Sequence, residues 1–216
     1  MTVQDNMKLL SEKASLFAVP LKRLNKYAVV RVRFMANFKD TPYSFVDVLD
    51  VLLETNKTFD SDALKLARPL GPSLCLMSRI NERGKNAWKF LFEDDLLPYE
   101  KYFPELRWQN SKNLSAHQEY TETEDMEWYY VTEAWYNHRV DYKRIKHLGY
   151  SDAFNIPLTA SLIEMLWIRR LKLDMDDYYK PEDYQTQLFY KIIRREVENT
   201  MFYDTVPQEY WNKIMP

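Results

Sequence analysis

One thiol and three imidazoles are all that this chain holds for soft-metal or thiol chemistry: Cys75, His117, His138 and His147. Zinc takes a cluster of such ligands, and these residues do not cluster in sequence. If His138 and His147 share one helix, their spacing puts them on opposite faces. His138 reads instead as a hydrogen-bonded interface histidine. Cys75 falls in an expected strand, where a lone cysteine serves as a small core residue, with no His–Asp pair to activate it. Gly71, Gly84 and Gly149 are the only glycines and lie far apart. A phosphate-cradling loop needs several within a few residues. Carboxylates come in runs, Glu93, Asp94 and Asp95, then Asp174, Asp176 and Asp177. General acid–base work needs one of them buried with a raised pKa, whereas runs among polar neighbours read as solvated faces. The expectation is a protein that is not an enzyme, with no cofactor and no metal. A carboxylate-based enzyme is the reading this sets aside.

The basic residues carry more information. Arg139, Lys143 and Lys146 recur at steps of four and three and form a stripe on a helix. Arg31 and Arg33 alternate on one side of an expected strand. Such patches meet a partner's acids, lipid head groups or RNA phosphates. The formal net charge of -2 gives no global pull toward any of these. With 16 Tyr and 6 Trp, aromatics make up 15% of the chain, a composition suited to half-wet protein interfaces. The single cysteine fits a reducing compartment. No apolar run approaches the roughly 18 residues that mark a membrane span. The opening "MTVQDNMKLLSEKASLF" lacks a secretory apolar core and carries acids, so no cleaved leader is expected.

These residues need elements to position them. Residues 7–17 read as a short helix and "YAVVRVRF" (27–34) as a half-buried strand. "SFVDVLDVLLE" (44–54) reads as a helix with Phe45, Val48, Leu49 and Leu52 on its apolar face. A short helix opens at Ser61, a second strand lies in 67–80, and 85–97 read as a helix. The polar stretch 110–123 marks a linker. From Glu124 to His147, Trp128, Val131, Trp135, His138, Tyr142 and Ile145 follow helical steps, and Gly149 sits where a helix C-cap takes a left-handed residue. Further helices are expected from Pro157 to about Asp174 and from Pro181 through Tyr184 and Val197. The expected fold is mainly α. A small α/β module spans 1–109, the linker 110–123, a three-helix region 124–200 and an extended arm 201–216.

Two resemblances add to this. "WYNHRVDYKRIKHLGYSD", "LIEMLWIRRLKLDMDDYYKPEDYQ" and "LFYKIIRREVE", within 135–196, resemble the small matrix-side subunit 7 of the mitochondrial cytochrome bc1 complex. That family is helical and non-catalytic. The resemblance implies that Leu148, Gly149 and Asp152 form its helix-ending turn, that Arg169 and Arg170 match its basic helix, and that Pro181 and Tyr184 match its proline–aromatic step. "GKNAWKFLFEDDLLPYEKYFPELRWQN" (84–110) resembles a stretch of some small mitochondrial ribosomal proteins and of a complex I accessory subunit. The resulting expectation is a non-catalytic accessory subunit of a respiratory-chain assembly, peripheral on the matrix side of the mitochondrial inner membrane. It would meet protein subunits, with acidic lipid head groups as further contacts. The docking residues would be Trp128, Trp135, His138, Arg139, Tyr142, Lys143, Lys146, Arg169, Arg170 and Tyr184. Alternatives are a mitochondrial ribosomal protein with Arg31, Arg33 and the 139–146 stripe on rRNA, and a viral or phage interaction protein.

Overall fold

The computed structural model describes residues 11–35, 43–76, 80, 87–101, 104, 106–109, 128–131, 138–145, 148–150, 155–183 and 187–205. Strands β1 (Lys13–Leu21), β2 (Lys26–Met35), β3 (Tyr43–Leu53), β4 (Leu74–Leu76) and β5 (Lys89–Asp95) form one sheet in the order β4-β3-β2-β1-β5. Every neighbouring pair in it is antiparallel. Helix α1 (Ser61–Leu66) lies between β3 and β4. A second sheet, ordered β8-β7-β6-β9, contains β6 (Leu106–Gln109), β7 (Trp128–Val131), β8 (His138–Val140) and β9 (Gly149–Tyr150). Its β6–β9 pair is parallel and the others are antiparallel. The one-turn helix α2 (Tyr142–Ile145) follows β8, and α3 (Ile156–Arg170) and α4 (Gln187–Asn199) complete the helices.

The expected mainly-α fold is therefore corrected to an antiparallel sheet with helices packed on it. The reason is burial on both faces. In β3, Val46 and Val48 join a core with Leu162, Leu166 and Ile193 of α3 and α4, while Leu49 turns the other way onto Leu16, Val29 and Leu64. A strand covered on both sides loses its polar alternation. Phe45, Val48, Leu49 and Leu52 then mimic helical steps. Residues 85–97, expected as a helix, contain β5 instead: apolar side chains stand on both of its faces, the half-exposed Phe90 edge-on to Phe17 and Phe92 stacked on Phe59 across the opposite face. Residues 7–10 of the expected helix 7–17 lie outside the described residues, and from Lys13 the segment is strand instead: Ser15–Leu21 pairs with β2 and Lys13–Ala18 with β5. Pro20 falls beyond the last residue that β5 reaches, Ala18, so it costs that ladder nothing.

The main core runs from Phe17 of β1 to Phe202, so residues on both sides of 110–123 share it. The segment 110–123 lies outside the described residues, and β6 before it pairs with β7 after it.

Helix α3 forms where its caps predict. The Asn155 side chain accepts from the Leu158 amide, and a proline opens the first turn. Its end is a Schellman motif: the Leu173 amide donates to the Ile168 carbonyl and the Lys172 amide to the Arg169 carbonyl. Lys172 holds the left-handed position with φ 58°, which glycine occupies without strain. Lys172→Gly should therefore stabilise the fold, by up to about 1 kcal/mol, read as a raised urea midpoint at unchanged slope.

Candidate functional site

Buried ion pairs fix the frame around the candidate surface. Arg31 and Arg33, expected on an exposed basic face, are each 2% exposed. Arg31 Nε donates to Glu100 Oε1 at 2.6 Å, and its Nη1 to Asp94 at 2.6 Å. Burial pulls the Arg31 guanidinium down, but its bonds to Glu100 and Asp94 outweigh this and hold it above its ordinary value. Arg33 donates to Ser73 at 3.0 Å and stands 3.4 Å from Asp47. The expected outward-facing basic strand is thus corrected. Asp47 on β3 and Asp94 on β5 supply acids from the same sheet and Glu100 one from the segment after β5, so the arginines are buried among them.

The other buried carboxylates are held in the same manner. Glu164 on α3 accepts from the backbone amides of Arg23 and Leu24 in the β1–β2 turn, and from the Tyr179 hydroxyl at 2.5 Å. Glu196 on α4 accepts from Arg107 of β6 at 2.7 Å. Each of these carboxylates has its oxygens engaged by donors from other elements. Their role is to position elements. Glu164 ties α3 to the first hairpin. Arg107, which also donates to the Leu148 carbonyl, ties β6 and the turn before β9 to α4.

That turn supports the candidate docking surface. The β7–β8 hairpin sets Trp128 opposite Val140, Tyr129 opposite Arg139 and Tyr130 opposite His138. Asp141 follows and caps α2: its side chain accepts from the Lys143 amide at 3.0 Å and its carbonyl from the Arg144 amide at 3.0 Å. Ile145 and Leu148 are buried and anchor the turn, while Arg139, Lys143 and Arg144 are exposed. The backbone positions of Trp128, His138, Arg139, Tyr142 and Lys143 thereby lie at one sheet corner, on two strands and a single helical turn rather than one long helix, with Arg139 on the opposite sheet face from Trp128 and His138. Arg144 joins them although the stripe reading passed over it. In a four-residue helix the exposed face is set by which residue is anchored, here Ile145.

Trp135, Lys146 and Tyr184 lie outside the described residues. Arg169 and Arg170 lie apart from the corner, at the end of α3. Arg169 donates to the carbonyls of Val197 and Thr200 at 2.6 and 2.5 Å, closing the C-terminus of α4, and stands over the Phe202 ring. Burial holds its guanidinium below the ordinary value, against the pull of Glu198. Arg170 bridges Asp50 of β3 and Asp204.

Gly149 does not cap a left-handed helix end. It opens β9, and a Cβ there would lie 2.2 Å from the Ser73 carbonyl oxygen. It lets the second sheet approach the first at β4.

Among the described residues no three His, Cys, Asp or Glu side chains group as a metal site, and no helix is long and apolar enough to cross a membrane. No family model, no curated protein and no solved structure matches the chain.

Proposed function

We propose that the protein is a non-catalytic accessory subunit that docks into a larger assembly through the β7–β8–α2 corner. The observation that carries this is the grouping of Arg139, Lys143 and Arg144, all exposed, on an edge strand and a short helix that Ile145, Leu148 and Arg107 hold rigid. A cluster of exposed cations suits an acidic protein surface, because such charges set orientation and approach. The narrower setting, the matrix side of a mitochondrial respiratory assembly, is supported by the 135–196 resemblance. Within that stretch His138–Val140 is a strand where the resemblance implies helix, so the support rests on α3 and α4. The ribosomal alternative loses Arg31 and Arg33 to internal pairs and keeps the corner alone.

The test is a triple charge reversal, Arg139→Glu, Lys143→Glu and Arg144→Glu, with Trp135→Ala and Tyr142→Ala as a second variant. The triple variant should leave the native assembly on a non-denaturing gel while melting within about 1 kcal/mol of wild type, since exposed charges contribute little to stability. Unchanged co-migration of both variants contradicts docking through this corner.

A further inference from the structure

Strand β5 is an edge strand: β1 pairs with one side of it, and among the described residues nothing pairs with the other. Such an edge presents a row of backbone donors and acceptors to another strand. Lys89, Glu93 and Asp95 are exposed along it, and Phe90 is 47% exposed, an apolar side chain left in water at the rim of the main core.

The ladder to β1 assigns the faces. Lys89, Phe92 and Asp94 stand opposite Ala18, Leu16 and Ala14 on one face, and Phe90 and Glu93 stand opposite Phe17 and Ser15 on the other. The register steps from Leu16–Phe92 to Phe17–Phe90, so Leu91 is the extra residue of a bulge. Leu91 packs with Phe92 against the smaller core. A lysine and a bulge are devices that keep an edge from pairing indiscriminately. The charge order then decides which pairing remains. The strand begins with a lysine and ends with three acids, Glu93, Asp94 and Asp95. Parallel alignment of two copies sets lysine on lysine and acids on acids. Antiparallel alignment sets Lys89 of each copy at the acidic end of the other, and two-fold symmetry makes the contact twice. The register that also matches the faces puts Lys89 opposite Asp94, Phe90 opposite Glu93 and Leu91 opposite Phe92.

We infer that the outer edge of β5 is the seam of a two-fold homodimer, in which two copies join antiparallel into one continuous ten-stranded sheet and Phe90 leaves water. This surface is separate from the β8 corner, so the dimer and the docked assembly are independent claims.

The experiment is sedimentation of the full chain over a concentration series at low salt. Wild type should show a monomer–dimer equilibrium. Lys89→Glu should weaken it by about tenfold or more, because it turns both Lys89–Asp94 contacts of this register repulsive; Glu93→Lys with Asp95→Lys, which flank Asp94 and reverse the net charge of that end of the strand, should weaken it too. All three side chains are exposed, so circular dichroism should show the fold unchanged. Mixing the two variants should restore the dimer as a one-to-one heterodimer, since the two ends that meet then again carry opposite net charge. A wild-type chain monomeric at every concentration overturns the inference. So does a dimer that survives Lys89→Glu and Phe90→Asp alike, or a mixture that stays monomeric.

Discussion

Glu100→Ala should cost about 3–5 kcal/mol, the range for leaving a buried charge without its partner. Glu100 is fully buried and accepts from the Arg31 guanidinium and the Leu97 amide, so its removal takes one carboxylate from a guanidinium that is itself 2% exposed and leaves the Leu97 amide without that acceptor. Asp94 and the Asp95 carbonyl remain as acceptors for Arg31, which argues for the lower half of that range. Urea unfolding followed by circular dichroism measures it. The Arg31→Met, Glu100→Leu double variant should recover most of the loss, because an apolar pair of similar volume removes both desolvation costs. If Arg31 instead served an outward phosphate-binding face, Glu100→Ala would leave the midpoint in place.

Gly149→Ala should cost about 3 kcal/mol, the upper end for overpacking. The added methyl would sit 2.2 Å from the Ser73 carbonyl oxygen and 3.2 Å from Leu106 Cδ2. The leucine can rotate, but the carbonyl belongs to the chain entering β4 and moves only if that strand moves. Gly149→Asn separates this account from a helix cap. Asparagine tolerates a left-handed cap position, so a cap would accept it, whereas a close backbone approach rejects it as it rejects alanine.

What the sequence made legible follows from which forces act locally. Helix α3 could be read because Asn155 and Pro157 sit at its start and its apolar positions are dense. Strand β2 could be read because Arg31 and Arg33 alternate with valines. Yet that alternation was taken for a wet face. Glu100 and Asp47, which make it a buried polar layer, lie distant in sequence and carry no local signal. Glu164 did carry one, as an acid inside the apolar run "LIEML". β3 hides its period because both its faces are buried, and β5 because it carries phenylalanines on both faces of an edge strand. The proposed corner residues lie on two strands and one helical turn, not on the long helix that their spacing suggests. Residues 128–145 satisfy a helical period, but pairing with β6 drew Trp128–Val131 into a sheet. Tertiary pairing overrode the local pattern, as it does where a segment gains more from long-range ladder bonds than from its own turns.

The measurement that bears most directly on the docking account is the native size of the species holding this chain, extracted in mild detergent and run on a non-denaturing gel with a protein inventory of the band. The account predicts a species well above the 26.1 kDa monomer and its dimer, lost when Arg139, Lys143 and Arg144 are reversed. A haem signal with cytochrome b peptides in that band would supply the respiratory setting, and rRNA in its place would supply the ribosomal one. A lone monomer or dimer from native extracts would contradict the account.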